Sequence, residues 1–364
     1  MRILYGVQGT GNGHITRARM LGPAIERQGI QVDYLFSGRD PEKYFNMEPF
    51  GTYETRTGFT FATEDGQVDL LKTIREAKLV EFINDVRKLD LRQYDLVVSD
   101  FEPVTAWAAR LKGKRSIGIA HQYAFTHKVP GREQSKLMHI GIPIFTPVTD
   151  AIGLHWHNFT KPILPPMISP MDLELSFAPR KVLVYLPFEN TKRVVEFLHT
   201  WQSYDFHLFA DVEEEYSVGS VTVHPLSREN FKRCLASCAG VFTSAGFGVC
   251  SEAIQAGKGL LVKPLAGQFE QAANAAALER LSFGSQINSF DDLKFEQWLS
   301  SLSSAKNPRP WPATEQVIAE WIADGCPGTV KDLCQKAWSK PINESSAQLG
   351  STTLMQQNRN IFVN

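Results

Sequence analysis

The sequence predicts an α/β protein with two domains, each built on a mostly parallel sheet, and three observations carry that expectation. Short apolar runs alternate with amphipathic stretches in two separate series, the pattern of parallel strands joined by crossover helices. A stretch holding Pro162, Pro165, Pro166, Pro170 and Pro179 lies between the two series. A chain of 364 residues with 43% hydrophobic content can bury two cores but hardly three.

The first series opens at the amino terminus. Residues 2–7 form a short apolar run expected to be the first strand, with no signal peptide expected ahead of it, and further strands are expected at 32–36, 96–99 and 116–120. Helical periodicity between them places helices near 15–27, 68–88 and 103–111. A segment as rich in proline as 161–179 cannot hold a helix interior or a central strand, and is expected to be a stiff linker. In the second series strands are expected at 181–187, 207–210, 221–224, 240–243 and 259–262. Helices at 314–323 and 330–338 follow, separated by Gly325-Cys-Pro-Gly328. The expected organisation is a first domain over 1–160, a linker over 161–179, a second domain over 180–324, a closing helix over 325–340 and a tail over 341–364. That tail is rich in Ser, Gln and Asn without periodicity, and is expected to be mobile.

Residues 241–277 carry the most specific chemistry. An apolar strand ends in Thr243-Ser-Ala-Gly-Phe-Gly248 where a helical pattern begins. Ser244, Ala245, Gly246, Phe247 and Gly248 would leave backbone N–H groups bare at a helix N-terminus, a site for a phosphate or diphosphate. Glu252, about two turns in, can bind a ribose diol, and the loop residues Gln268, Glu270 and Gln271 can bind sugar hydroxyls. Glycine at a tight turn is usually only a residue with φ > 0. The order of the whole segment is more specific than its glycines, and together the parts describe a pocket for a nucleotide-sugar.

The first strand runs into Gly6-Val-Gln-Gly9-Thr-Gly11-Asn12-Gly13-His14. A Walker A loop fails, because Gly11 is followed by Asn12 and Gly13 instead of Lys and Ser or Thr. The dinucleotide fingerprint G-x-G-x-x-G needs a glycine at 14 or 16, where His14 and Thr16 stand, although Asp33 falls near the ribose-binding distance. NAD is thus disfavoured but stays open. His14 has a chemical use of its own. A neutral imidazole can take a proton from an acceptor hydroxyl, and does so better when a carboxylate fixes its other ring nitrogen. Asp100 ends the apolar run 94–100 and is the candidate carboxylate, with a helix N-cap as its competing role.

Both segments resemble the glycosyltransferases with two Rossmann-like domains facing across a cleft, the GT-B fold. The likeness is to the N-acetylglucosaminyltransferase of peptidoglycan synthesis, to the UDP-glycosyltransferases, and above all to uncharacterised bacterial and archaeal predicted glycosyltransferases. It covers roughly residues 1–338. It implies that Gly11, Asn12 and Gly13 belong to the amino-terminal loop at the donor, and that His14 faces the cleft with Asp100 as its partner. It implies further that the loop with Ser244, Gly246 and Gly248 holds the diphosphate, Glu252 the ribose, and the pair Glu270 and Gln271 the donor sugar. Ile119-Ala-His121-Gln122 matches a segment near the acceptor, so His121 and Gln122 are acceptor-side candidates. The chain departs from the peptidoglycan enzyme at Thr243, where that enzyme carries an Arg.

Composition excludes several classes. Lys plus Arg (38) and Asp plus Glu (39) nearly cancel, so no nucleic-acid partner is expected. Cys234, Cys238, Cys250, Cys326 and Cys334 are an odd set in expected helical settings without zinc spacing, expected as free thiols in a reducing cytoplasm. No apolar run reaches the roughly 20 residues that span a bilayer. Asn158-Phe-Thr160 matches a glycosylation site that a cytoplasmic chain would not use. Basic and aromatic residues between His121 and Phe159, among them His127, Lys128, Arg132, Lys136 and His139, would suit a lipid-linked acceptor at the inner face of the membrane, in cell-envelope synthesis. An ordinary core with a solvated loop outweighs that reading. No Asp-x-Asp occurs, so no metal or other cofactor is expected, and charge on the diphosphate would fall to helix N–H groups with Lys263 or Arg228.

The expected activity is that of a metal-independent hexosyltransferase. It would move a sugar from a nucleotide diphosphate donor, UDP-linked by expectation, to a glycan, lipid-linked or small-molecule acceptor, with His14 as general base. The alternatives are a nucleotide-sugar 2-epimerase, for which Glu270 is the one obvious acid/base carboxylate, a non-catalytic nucleotide-sugar-binding protein, and an NAD-dependent oxidoreductase.

Overall fold

The computed structural model describes residues 1–44, 46–58, 63–64, 67–68, 79–131, 136–304 and 306–340. Within them the chain divides into two units, the first comprising Met1–Ser169, Gly267–Ala273 and Pro312–Lys340, the second Pro170–Ala266 and Asn274–Trp311. The expected tail at 341–364 and Arg132 lie outside the described residues, as does most of the amino-terminal half of the helix expected over 68–88.

Unit 1 begins with β1 (Arg2–Gln8), α1 (Asn12–Glu26), β2 (Gln31–Ser37) and β3 (Tyr53–Arg56). A two-residue hairpin of β4 (Thr63–Glu64) and β5 (Gln67–Val68) follows, then α2 (Leu79–Lys88), β6 (Leu96–Asp100), α3 (Pro103–Leu111) and β7 (Ser116–Ala120). The last part holds α4 (Lys136–Phe145), β8 (Asp150–Leu154) and β9 (Ile163–Leu164). Seven strands form one sheet in the order β3-β2-β1-β6-β7-β8-β9, parallel at each pairing. Its central strands are buried along nearly their whole length, which is why they read as unbroken apolar runs without alternation.

Unit 2 holds β10 (Ala178–Tyr185), α5 (Thr191–His199), β11 (Asp205–Ala210), β12 (Tyr216–Val218), β13 (Val221–Pro225), α6 (Arg228–Ser237) and β14 (Cys238–Thr243). It continues through α7 (Phe247–Gln255), β15 (Gly259–Val262), α8 (Phe269–Arg280), whose first residues belong to unit 1, β16 (Ser285–Gln286) and α9 (Asp292–Ser300). Its sheet runs β12-β13-β11-β10-β14-β15-β16, with only β12 antiparallel. One apolar cluster fills the unit, including Val182, Val184, Leu208, Phe242, Phe295 and Trp298.

The chain then returns to unit 1 through α10 (Thr314–Ala323) and α11 (Val330–Ser339). A capping box between Thr329 and Asp332 starts α11. The helix is tied to β9 where Trp338 Nε1 donates to the Ile163 carbonyl at 2.8 Å.

Four expectations need correction. The first helix begins at Asn12 instead of 15, because Asn and Gly are tolerated in a first turn whose N–H groups need no intrahelical partner. Ile163–Leu164, inside the stretch expected to be linker, forms a strand, but at the sheet edge and for two residues only, as flanking Pro162 and Pro165 require. The 314–323 helix, expected in the second domain, groups with unit 1, where α10 packs on α1. Cys238 opens β14 instead of extending a helix, and all five thiols are buried.

Gly6 shows how closely unit 1 is packed at the head of α3. A Cβ there would stand 2.1 Å from Thr105 Oγ1 and 2.8 Å from Glu102 Oε2. Gly6→Ala should therefore lower the unfolding free energy by about 1–3 kcal/mol, as overpacking does. Denaturant melts read this directly, and an unchanged midpoint would contradict the packing.

Candidate functional site

Unit 1 places its polar cluster at a topological switch point. β1 lies between β2 and β6, so the strand order reverses there, and the carboxyl ends of β1 and β6 mark the point at which open α/β sheets characteristically bind their ligands. The register pairs Val7 with Asp100 there. Gly11 is the N-cap of α1, with extended backbone (φ −122°) and no side-chain cap, and Asn12 and Gly13 form the first turn. Asn12 Oδ1 accepts a hydrogen bond from Arg39 at 3.0 Å.

His14, on that same first turn, meets Asp100 as expected, its Nδ1 lying 2.6 Å from Asp100 Oδ1. The carboxylate is fully buried, the imidazole nearly so. Sequence reasoning missed the third member. Arg17, one turn after His14, reaches Asp100 with both arms of its guanidinium, Nε to Oδ2 at 2.9 Å and Nη2 to Oδ1 at 2.6 Å. The signal was His-x-x-Arg on one helix face, which places both side chains together. Burial pushes the Asp100 carboxyl up, but the Arg17 guanidinium, with hydrogen bonds from His14 and Arg17, more than offsets it and holds its pKa below the ordinary carboxylate value. Burial opposes the charge on Arg17, and Asp100 outweighs it.

Asp100 is free for this role because a different residue caps the next helix. Glu102 accepts from Val104 N at 2.8 Å, Thr105 N at 2.6 Å and Thr105 Oγ1 at 2.6 Å. Between the two acidic residues Phe101 adopts a left-handed backbone (φ +54°), uncommon for an aromatic residue. Its ring lies 6.4 Å from and nearly parallel to His14, and packs on Phe145 at 5.1 Å and edge-on to Tyr123 at 5.8 Å. The surrounding rings hold the conformation that turns Asp100 and Glu102 to separate tasks.

The acceptor-side candidates lie in the turn after β7. Buried His121 has its Nδ1 2.7 Å from the Leu154 carbonyl, to which it donates. Gln122 donates from Nε2 to Glu270 Oε2 at 2.9 Å, so one acceptor-side candidate and one donor-sugar candidate meet within unit 1. The other amide atom, Gln122 Oε1, is buried without a partner among the described residues. Gln268 Oε1 accepts from Gln271 N at 2.6 Å and so caps the start of α8.

Unit 2 places its candidates at the equivalent point, where β10 lies between β11 and β14 and Tyr185 pairs with Thr243. Ser244 to Gly248 join β14 to α7 without a side-chain cap. Gly246 is the N-cap, at φ −71°, and a Cβ on Gly246 or Gly248 would meet nothing within 4 Å. Neither backbone conformation nor packing demands glycine at these positions, which leaves room for a ligand against the backbone. Asn274, a second residue absent from the sequence reading, donates to the Ala245 carbonyl at 2.9 Å and fixes the loop. Glu252 is partly buried, with Arg228 Nη2 3.9 Å away. Burial pushes its pKa up, against the pull of Arg228 and Lys232. Lys263 is paired with Glu189 and lies over the Phe290 ring, so of the two cations considered for the diphosphate it is Arg228 that stands beside Glu252.

Among the described residues no group of three or more His, Cys, Asp or Glu is placed to hold a metal ion, and no helix is long and apolar enough to cross a membrane.

A family model described as glycosyl transferase family 1 matches residues 1–142 and 144–303. No curated relative matches the sequence. Three solved structures show what the architecture is similar to. One is an Arabidopsis thaliana UGT enzyme complexed with UDP, at 13% identity over 92% of this chain and 98% of that one, with a TM-score of 0.57. Another is the Streptomyces glycosyltransferase SsfS6 complexed with thymidine diphosphate, at 14% identity over 89% and 99%, TM-score 0.55. A third is MurG of Acinetobacter baumannii, at 15% identity over 92% and 99%, TM-score 0.54. What they share with this chain is the fold, two Rossmann-like α/β domains of the GT-B class.

The Asp100 carboxylate makes a pH-dependent contribution to stability. Its folded pKa is depressed, so the contribution is present above the ordinary carboxylate value and is lost as pH falls through the folded value. Asp100→Asn should cost on the order of 3 kcal/mol at pH 7, where it strands a buried Arg17, and much less near pH 2. Chemical denaturation across that range tests it; a penalty equal at both ends would mean the carboxylate is not ionised in the fold.

Proposed function

The chain belongs to glycosyl transferase family 1, and from that premise we propose that it moves a sugar from a nucleoside diphosphate donor, UDP-linked, to an acceptor hydroxyl, with His14 as general base and without a metal ion. The observation that carries the reading is the 2.6 Å approach of His14 Nδ1 to a buried carboxylate at the switch point of the first sheet. With Nδ1–H donating to Asp100, Nε2 keeps its lone pair. The acceptor oxygen attacks the anomeric carbon, its proton passes to Nε2, and the bond to the diphosphate breaks with its electron pair on the leaving oxygen.

The donor role falls to unit 2. The uncapped start of α7 offers N–H groups and the positive end of the helix to the diphosphate, and the open faces of Gly246 and Gly248 admit it. Glu252 is suited to the ribose hydroxyls, and Arg228 beside it to the charge that Thr243 leaves uncompensated. UDP and thymidine diphosphate in the two complexed structures support a pyrimidine nucleoside diphosphate. Gln122 Oε1, buried without a partner, can accept from a sugar or acceptor hydroxyl.

Four measurements test this reading. His14→Ala should cut turnover by about 10²–10⁴ and leave donor affinity nearly intact, the effect of losing a general base; full activity would remove the base assignment, and activity that never existed with affinity retained would favour a binding protein. Glu252→Ala should weaken UDP binding by about 1.5–3 kcal/mol in calorimetry, and unchanged affinity would place the ribose elsewhere. EDTA should leave the rate unaltered, so a strict Mg²⁺ or Mn²⁺ requirement would end the metal-free mechanism. Thermal shift with UDP, thymidine diphosphate, GDP and NAD separates the donor class, since ligand at about 100 times its Kd adds about 2.7 kcal/mol.

A further inference from the structure

Three polar atoms close a triangle in the unit 1 site. His14 Nδ1 and Asp100 Oδ1 are 2.6 Å apart, Arg17 Nη2 and Asp100 Oδ1 are 2.6 Å apart, and Arg17 Nη2 and His14 Nδ1 are 2.8 Å apart. The His–Asp pair alone needs no such third corner. Guanidinium nitrogens donate and never accept. A hydrogen on Nδ1 therefore points well at Asp100 but faces the Arg17 N–H, while a lone pair on Nδ1 accepts from Arg17 but faces the carboxylate. The proton on His14 is contested, and Arg17 is the competitor.

We propose that Arg17 is a positioning residue that acts through this contest, holding Asp100 as a carboxylate while preventing His14 from becoming an imidazolium in the resting enzyme. The inference rests on the reading of His14 as the base. A buried carboxylate with no second cation would draw a full positive charge onto the adjacent imidazole, and a protonated imidazole cannot accept a proton from a hydroxyl. Arg17 satisfies both carboxylate oxygens and sets a fixed positive charge at 2.8 Å from the ring, so the second proton is opposed. Asp100 still orients the neutral ring through Nδ1–H and still stabilises the imidazolium when proton transfer creates it.

Other described groups act on this cluster. Tyr5 of β1 interacts electrostatically with both Asp100 and Arg17, Tyr123 with Asp100, and Glu270 with Arg17. Both tyrosines are buried and their pKa values raised by that burial, so they stay neutral through the range in which histidine titrates. The charge of Glu270 supports that of the Arg17 guanidinium.

The test is the acid limb of the kcat/KM profile, together with the ¹⁵N chemical shifts of His14 in histidine-labelled protein. Arg17→Met should move the limb up by about one pH unit or more, so that each unit costs tenfold in kcat/KM below it, and should convert the His14 ¹⁵N signals at pH 7 to those of an imidazolium. Arg17→Lys, which keeps the charge and loses the fork, should return the limb most of the way to wild type and covers the case in which the methionine variant does not fold. A limb and a His14 titration superimposable on wild type in folded Arg17→Met, or displaced upward by about one pH unit or more in Arg17→Lys despite its retained charge, would overturn the proposal and leave Arg17 a structural residue. The ¹⁵N titration reads Arg17 even if His14→Ala proves fully active, so failure of the base assignment and failure of this inference give different results.

Discussion

The candidate site of unit 1 depends on one buried charge. Asp100 is fully enclosed and ionised, and no carboxylate survives burial without partners that answer its charge and its lone pairs. Arg17 meets the charge with a two-pronged contact, and His14 takes a remaining site on Oδ1. That requirement determines where α1 can begin and how it is rotated, since residues 14 and 17 must face the end of β6 together. It also explains why the helix start tolerates two glycines: the position of the first turn is set by the charge pair it carries, so a strong local cap is not needed. The same economy operates at α3, where Glu102 takes the capping role and leaves Asp100 uncommitted.

The two units solve a common geometric problem with different chemistry. In each sheet the first strand of the unit sits in the interior, where the strand order reverses. Unit 1 fills that position with ionisable side chains. Unit 2 fills it with bare backbone, a helix start whose glycines leave open space, and keeps its carboxylate, Glu252, farther along the helix. Under the proposed reaction, titratable groups would serve the proton that moves, and oriented N–H dipoles the diphosphate that is held and released.

The strands that were legible in the sequence are those buried on both faces, because such strands must be apolar throughout: residues 116–120 and 259–262 were placed without error. The short edge strands Tyr53–Arg56 and Ile163–Leu164 were not legible, since two to four residues carry no periodicity and their pairing is decided by a neighbour distant in the chain. Asp100 could be named as the partner of His14 from sequence because it ends an apolar run and because the family resemblance implies that pairing. Arg17 could not, because an arginine on an amphipathic helix ordinarily belongs to its solvent face; only the β1–β6 register brings Asp100, 83 residues away, over that helix turn. The choice between Asp100 and Glu102 as helix cap was equally closed to sequence, for both are acidic residues just ahead of Pro103.

Phe101 gives the site a property that neither of its neighbours has alone. Its left-handed backbone is a conformation that glycine adopts freely and an aromatic residue does not, yet its ring is what lies along His14 and wedges against Tyr123 and Phe145. Relaxing the main chain there means surrendering the ring, and keeping the ring means retaining the strain. Selection for thermal robustness and selection for a well-ordered imidazole therefore pull this one position in opposite directions, and a lineage adapting to heat would have to find its added stability elsewhere in the molecule.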